Sequence, residues 1–322
     1  MLKRLFTVRN LLILLAIIAL FVVSGYLGLR PFAPIVDLAA PVIFHIGPLA
    51  ITNAIFSAWL AMLILIIVSW RATRKIPKDL ESASNSDLAP KGIQNFMEMV
   101  VEVGHDLVRD IAGSRVSKFF PVVMTIFLFV LVSNWFDILP GFGTIGVLEH
   151  PPIDSGTKGY IANGPFLSSV EAASREEGYI VVSFFRPPST DLNFTIGLAL
   201  ISVGLSWYFG IRAQGARGFF KQFFDLSLFK KGAIGVVTIF AGLLEFIGQF
   251  TRILSFGFRL FGNIFAGEVL LAVMAFLIPY IASLPFYGLE VFVGFIQAVV
   301  FMMLSLVFFV TATVSHGSEE HH

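Results

Sequence analysis

The sequence predicts an all-α, polytopic membrane protein with about five to six membrane helices, including a long tilted helical hairpin, plus one amphipathic surface helix. Three observations carry that reading: the composition, a series of long apolar runs, and the placement of basic and acidic loops. Of 322 residues, 57% are hydrophobic, 13% are charged and 36 are phenylalanine. The mean hydropathy is +0.86. Soluble domains carry about 25% charged residues, so a chain this poor in charge is solvated mainly by hydrocarbon. The net charge of +1 identifies no partner, and no basic cluster is dense enough for nucleic acid. With no cysteine, disulfides, thiolate metal sites and a cysteine nucleophile are excluded. The six histidines form no i,i+4 pair on a hydrophobic helix, so neither a metal nor another cofactor is expected.

A bilayer core about 30 Å thick needs about 20 apolar residues per helix. The first candidate is Leu11–Leu29, preceded by Lys3, Arg4 and Arg9. A basic start and an apolar run also describe a signal peptide. The length of the run and the lack of an A-x-A-like site after it favour a retained anchor. The second span is Ala50–Trp70, free of charge and followed by "RATRKIPK". Phe119–Phe136 is the third, and Leu192–Ile211 the fourth, leading into "RAQGARGFFKQ". Two longer apolar regions close the chain, Gly232–Tyr280 and Leu284–Val314. Between the second and third spans, residues 92–113 interleave acids with Met, Val and Leu at helical spacing. That pattern describes a helix lying on the membrane surface or against a partner.

Loop charge orients the set. The N-terminal ten residues and the loops after Trp70 and Ile211 are rich in Lys and Arg, which places them in the cytoplasm. The segment 137–190 holds six acids against three basic residues and belongs outside. If the last two long regions form one hairpin, both termini are cytoplasmic. Region 232–280 as a single helix would be about 70 Å long, more than twice the membrane thickness. It contains no proline before Pro279, so nothing forces a break, although Gly and Ser at 242, 248, 255, 257 and 262 favour bending. A helix this long tilts strongly or runs partly in the membrane plane, where it can wrap around another object.

Within that region, "FGFRLFGNIFAGE" (256–268) places Arg259 without an acid one turn away: its neighbours there are Ser255, Phe256, Gly262 and Asn263. On a helical projection, Arg252 lies within about 20° of Arg259, Glu245 and Asn263 within about 40°, Gln249 within about 80° and Glu268 about 180° away. Ser255, Gly262 and Ala266 complete a polar and small-residue face. On the last helix, Glu290 and Gln297 are seven residues apart and share a face. For Gly262 and Ala266 the plainer explanation is close packing within the bundle. Arg259 resists that explanation, because a central arginine costs about 3 kcal/mol on insertion scales and usually marks an ion pathway or counter-ion. Its guanidinium does not deprotonate, so it carries no proton; it can attract a carboxylate on another protein and favour its ionised form. Asp191 has a structural alternative as an N-cap after "PPST". Arg252 and Glu245 are open between a structural pair and a proton-steering role.

"RLFGNIFAGE" with "FIQAVVFMMLSLVF" resembles the subunit a family of F-type ATP synthases. Further similarity runs through "VIFHIGPLAITNAIFSAWLAML", "GIQNFMEMVVE", "SNWFDILPG" and "PSTDLNFTIGLAL", so that it covers about residues 35 to 318. The division expected is an extra N-terminal membrane anchor over 1–30 and a subunit a domain over 31–318, with surface helix 92–113, extracytoplasmic loop 137–190 and rotor-facing hairpin 232–314. The resemblance implies a proton-conducting membrane stator beside a ring of c subunits, with peripheral-stalk b subunits, other synthase subunits and lipid as partners. It implies a non-catalytic, multi-pass subunit of a cell membrane, as in bacteria, working without a cofactor.

Residue by residue, it implies that Arg259 opposes the ring carboxylates between two offset half-channels. Gln297 is its neighbour on the last helix, and Asn263 shares its face. Glu268 matches the acid of one half-channel. Glu290 stands where the family has histidine or glutamate, so Glu268 and Glu290 make a pair of acids, which tends to share a proton. Ser189, Asp191 and Asn193 match polar positions at the outer end of a membrane helix, and Asp137 an acid nearby, whereas the family's second acid there is replaced by Phe142. A secondary transporter would show an internal repeat, and none is found between the halves. A structural anchor gives Arg259, Glu268, Glu290 and Gln297 no purpose. No phosphate-binding G-x-x-x-x-G-K-[ST] occurs.

Overall fold

The computed structural model describes residues 38–74, 92–136, 138, 145–149, 180–221, 223, 233–277 and 284–314. The expected anchor over 1–30, Asp137, Phe142 and most of the loop 143–179 lie outside the described residues.

The described chain opens with a short hairpin, β1 (Val42–Ile46) paired antiparallel with β2 (Leu49–Thr52), turned at Gly47 with φ of 62°. That conformation suits a residue without a Cβ. The strands occupy the residues where the second span was expected to begin, so helix α1 starts later, at Asn53, and runs to Thr73. Thr52 sets the start: its side chain accepts from the Ile55 N–H at 3.3 Å, capping the first turn.

The amphipathic segment forms helix α2 (Ile93–Ala112), followed by one 3-10 turn at Gly113–Arg115 and then α3 (Val116–Asn134). Gly104, Val108 and Ala112 are buried, whereas Ile93, Phe96, Met99, Val103, Leu107 and Ile111 form an exposed apolar stripe. Gly104 permits the close approach to α3, since a Cβ there would stand 2.9 Å from the Met124 sulfur.

Within the acidic loop, β3 (Gly146–Glu149) pairs antiparallel with β4 (Ile180–Ser183), a contact that the Gly- and Pro-rich composition did not announce. A 3-10 turn at Pro188–Thr190 leads into α4 (Leu192–Lys221), ten residues longer than the apolar run alone predicts and bent where Gly215 takes φ of 77°. Helix α5 (Ala233–Leu277) is 45 residues long and unbroken; α6 (Leu284–Thr313) follows it. Together they are the expected long hairpin.

The core joins α3, α4, α5 and α6 through Phe119, Val123, Phe127, Val130, Ala199, Val203, Leu260, Phe301, Leu306 and Phe309. Phe256 of α5 stacks on Phe301 of α6, centroids 3.8 Å apart. Buried hydroxyls fasten α4 to α6: Ser202 Oγ donates to Ser305 Oγ at 2.8 Å and Ser206 Oγ to the Phe308 carbonyl at 2.9 Å. Among the described residues, five helical stretches are long and apolar enough to cross a membrane. With their exposed leucines, isoleucines and phenylalanines, they make a multi-pass membrane protein.

Candidate functional site

Arg259 owes its direction to the residues beside it on α5. Ile253, Phe256, Gly257, Leu260, Ile264 and Gly267 are buried toward the bundle. Gly257 is decisive for the approach: a Cβ there would meet the Ile196 side chain at 3.0 Å and its backbone at 3.2 Å, so only glycine lets α5 lie this close to α4. The opposite face then points out of the bundle. Glu245, Arg252, Ser255, Arg259, Gly262, Asn263 and Ala266 are all exposed. Among the described residues, neither Gly262 nor Ala266 serves packing: both are exposed, and a Cβ at 262 would meet nothing within 4 Å. Arg259 forms no ion pair or hydrogen bond with the described residues.

The other side of the helix holds acids. Glu268 lies half-buried, nine residues toward the C-terminus of α5, about 14 Å along the axis from Arg259. Its carboxylate accepts from Arg186 Nη2 at 3.3 Å. Glu290 of α6 is buried, and its carboxylate lies against Gly267, filling the space where a Cβ would stand. The two acids therefore reach the same level of the α5–α6 contact, with Glu268 joined to an arginine. Gln297, two turns along α6 from Glu290, is half-buried.

Around the start of α4, Ser189 Oγ donates to Asn134 Oδ1 at 2.6 Å, and Asn134 Nδ2 donates to the Gly294 carbonyl at 3.0 Å. Trp135 Nε1 donates to the Val291 carbonyl at 3.1 Å. This polar layer links α3, the turn before α4, and α6 beside Glu290. Asp191 Oδ1 accepts from the Asn193 N–H at 2.8 Å, so it does cap the start of α4; the Asn193 side chain is exposed. Asp137 lies outside the described residues.

Toward the C-terminal half of α4, a cavity of about 280 Å³ is lined by Ser206, Trp207, Glu245, Gln249, Arg252 and Thr311 among others. Arg252 contacts Gln249 Oε1 at 3.5 Å and lies over the Phe308 ring at 5.4 Å. No ion pair joins Arg252 to Glu245 among the described residues, so both are polar lining of this cavity.

A family model described as the ATP synthase A chain matches residues 55–310. The chain belongs to the ATP synthase A chain family. It is 30% identical over 298 residues to ATP synthase subunit a of Gloeobacter violaceus, covering 92% of this chain and 97% of that protein. The subunit a of Moorella thermoacetica is 27% identical over 275 residues, 85% of this chain and 96% of the relative. That of Campylobacter jejuni is 31% identical over 278 residues, 84% and 89%. Residues 55–310 include Arg259, Asn263, Glu268, Glu290, Gln297, Ser189, Asp191, Asn193 and Asp137.

Sequence reasoning missed Arg186 and Asn134. Arg186 sits in a loop read only for its net charge, and a loop arginine gives no periodic signal. Asn134 ends an apolar run, where an amide reads equally well as a helix terminus. A buried polar side chain at the edge of a span was the available clue.

Proposed function

We propose that this chain is the proton-translocating stator subunit of an F-type ATP synthase. It forms two offset half-channels beside the c-ring, with Arg259 opposing the ring carboxylates. One observation carries the reading: Arg259 stands exposed on an unbroken membrane helix, among small and polar residues, without a partner among the described residues. A cation left open at membrane depth is stabilised by a carboxylate on another protein. The adjoining Gly262 and Ala266 keep that face shallow enough for a helix to pass closely.

Protons enter from the outer side through Ser189, Asn134, Asp191 and Asn193, with Asp137 as the further acid that the family resemblance assigns to this entry, and reach Glu268 and Glu290. They pass to a ring carboxylate, travel nearly a full turn, and leave toward the inner cavity at Gln249, Arg252 and Glu245. Arg259 returns the carboxylate to its ionised form and bars direct passage; Gln297 and Asn263 hold the polar surroundings of the guanidinium. Each charge crossing 100 mV contributes about 2.3 kcal/mol, which turns the ring. ATP chemistry belongs to other subunits, so the chain is not itself catalytic.

The division follows: residues 31–318 form the functional domain, the α5–α6 hairpin faces the ring, residues 1–30 add an anchor, and both termini are cytoplasmic. Helix α2, lying at the cytoplasmic surface, turns its apolar stripe to lipid and the peripheral-stalk b subunits.

The test is ATP-driven proton pumping in vesicles carrying the assembled complex, with Arg259→Ala against wild type. Expected is loss of pumping while the ring and other stator subunits still co-purify. Normal pumping by the assembled variant would sink the mechanism.

A further inference from the structure

Among the described residues, Arg186 is the buried cation that the half-channel scheme does not use. Its side chain is 8% exposed, and three separate segments converge on it. Nη1 donates to the Ala39 carbonyl at 3.3 Å, its backbone N–H donates to Ser57 Oγ of α1 at 3.2 Å, and Nη2 donates to Glu268 Oε2 of α5 at 3.3 Å. Pro187 and Pro188 follow it directly, leading into the 3-10 turn that also carries Ser189. The backbone at 187 is thereby restricted, so the arginine projects from a stiff and multiply anchored loop.

We propose that Arg186 is a positioning residue for Glu268: it fixes the carboxylate at the outer level of α5 and thereby sets the handover of protons there. This rests on Glu268 being a proton-carrying acid of the outer half-channel. A carboxylate side chain 31% exposed has several rotamers open to it. The guanidinium selects one of them and supplies a fixed charge in a place where water is scarce, and fixed charges act more strongly there than in bulk solvent. Proline and loop anchoring hold the arginine itself still, so the constraint runs from loop to helix. Because a guanidinium does not deprotonate, the acid is the member of the pair able to exchange a proton, and it keeps part of its surface uncovered by this chain.

The experiment uses the whole assembled complex in vesicles and four variants: Glu268→Gln, Arg186→Gln, Arg186→Lys and the neutral double variant Arg186→Gln/Glu268→Gln. ATP-driven pumping is read together with co-purification of the remaining subunits. Arg186→Gln is expected to assemble and to lose about tenfold or more of the pumping rate, the order that stranding one member of a buried pair produces. Arg186→Lys keeps the charge and is expected to restore most of it. If Arg186→Gln does not assemble, the lysine and double variants decide: assembly recovered by the neutral double variant ties the failure to the stranded Glu268 charge, and a lysine variant that assembles with a shifted pH profile of pumping then supports the proposal, whereas an unmoved profile overturns it. Continued failure to assemble makes Arg186 a structural staple and overturns it. Normal pumping by Arg186→Gln, with Glu268→Gln impaired, overturns this proposal alone. Normal pumping by Glu268→Gln removes the reading beneath it.

Discussion

On the outward face of α5, Arg259 stands open among Ser255, Gly262, Asn263 and Ala266; on the inward face, Phe256 stacks on Phe301, Gly257 touches Ile196 and Glu268 meets Arg186. Both faces combine glycine with charge, yet the two glycines do opposite work. At 257 the missing side chain lets a neighbour of the same chain approach, whereas at 262 it leaves open space. The two arginines divide in the same way. Arg186 is buried with an acid supplied by its own chain, and Arg259 is exposed without one among the described residues. A charge completed within the chain serves its architecture, and a charge left open addresses something outside it.

Substitutions can break that comparison. Phe256→Ala should be the most damaging to stability, removing about 3 to 5 kcal/mol of packing from the stacked ring pair, read as a lowered melting temperature of the purified complex in detergent. Gly257→Val forces α5 away from Ile196 and is expected to lose about 1 to 3 kcal/mol in the same measurement, with reduced co-purification. Ser202→Ala removes one donor while Ser305 keeps its own bond to the Phe301 carbonyl, so the loss should be about 1 kcal/mol. Gly262→Ala adds a methyl group to open space and replaces a poor helix former, so the melting temperature should hold or rise by the equivalent of about 0.5 kcal/mol. Pumping should rank this last substitution differently. If a ring helix passes this face, Gly262→Ala slows pumping despite its neutral melting behaviour; an unchanged rate would mean that nothing approaches there closely.

Much of this was legible in the chain. The 100° spacing that aligns Glu245, Arg252, Arg259 and Asn263 is a property of the helix alone, and all four are exposed together in the structure. Asp191 as a cap was equally readable, because capping is a contact over two residues. The hairpin β1–β2 was not: Ala50–Thr52 is apolar and continues smoothly into α1, so hydropathy alone assigned those residues to the span. The β3–β4 pairing escaped for a related reason, since its strands are 30 residues apart and each is only four residues long.

Hydrophobic runs, an absence of proline and helical periodicity are local properties, so they sufficed to find the described membrane helices, though not the start of α1, to show that nothing forces a break in α5, and to set the face on which Arg259 lies. Which face of α5 is covered, the contact of Glu290 with Gly267, and the meeting of Glu268 with a loop arginine 82 positions away came only from packing between segments. Those outcomes depend on how separate helices settle against one another, and no spacing along the chain encodes the distance between two segments until packing brings them together.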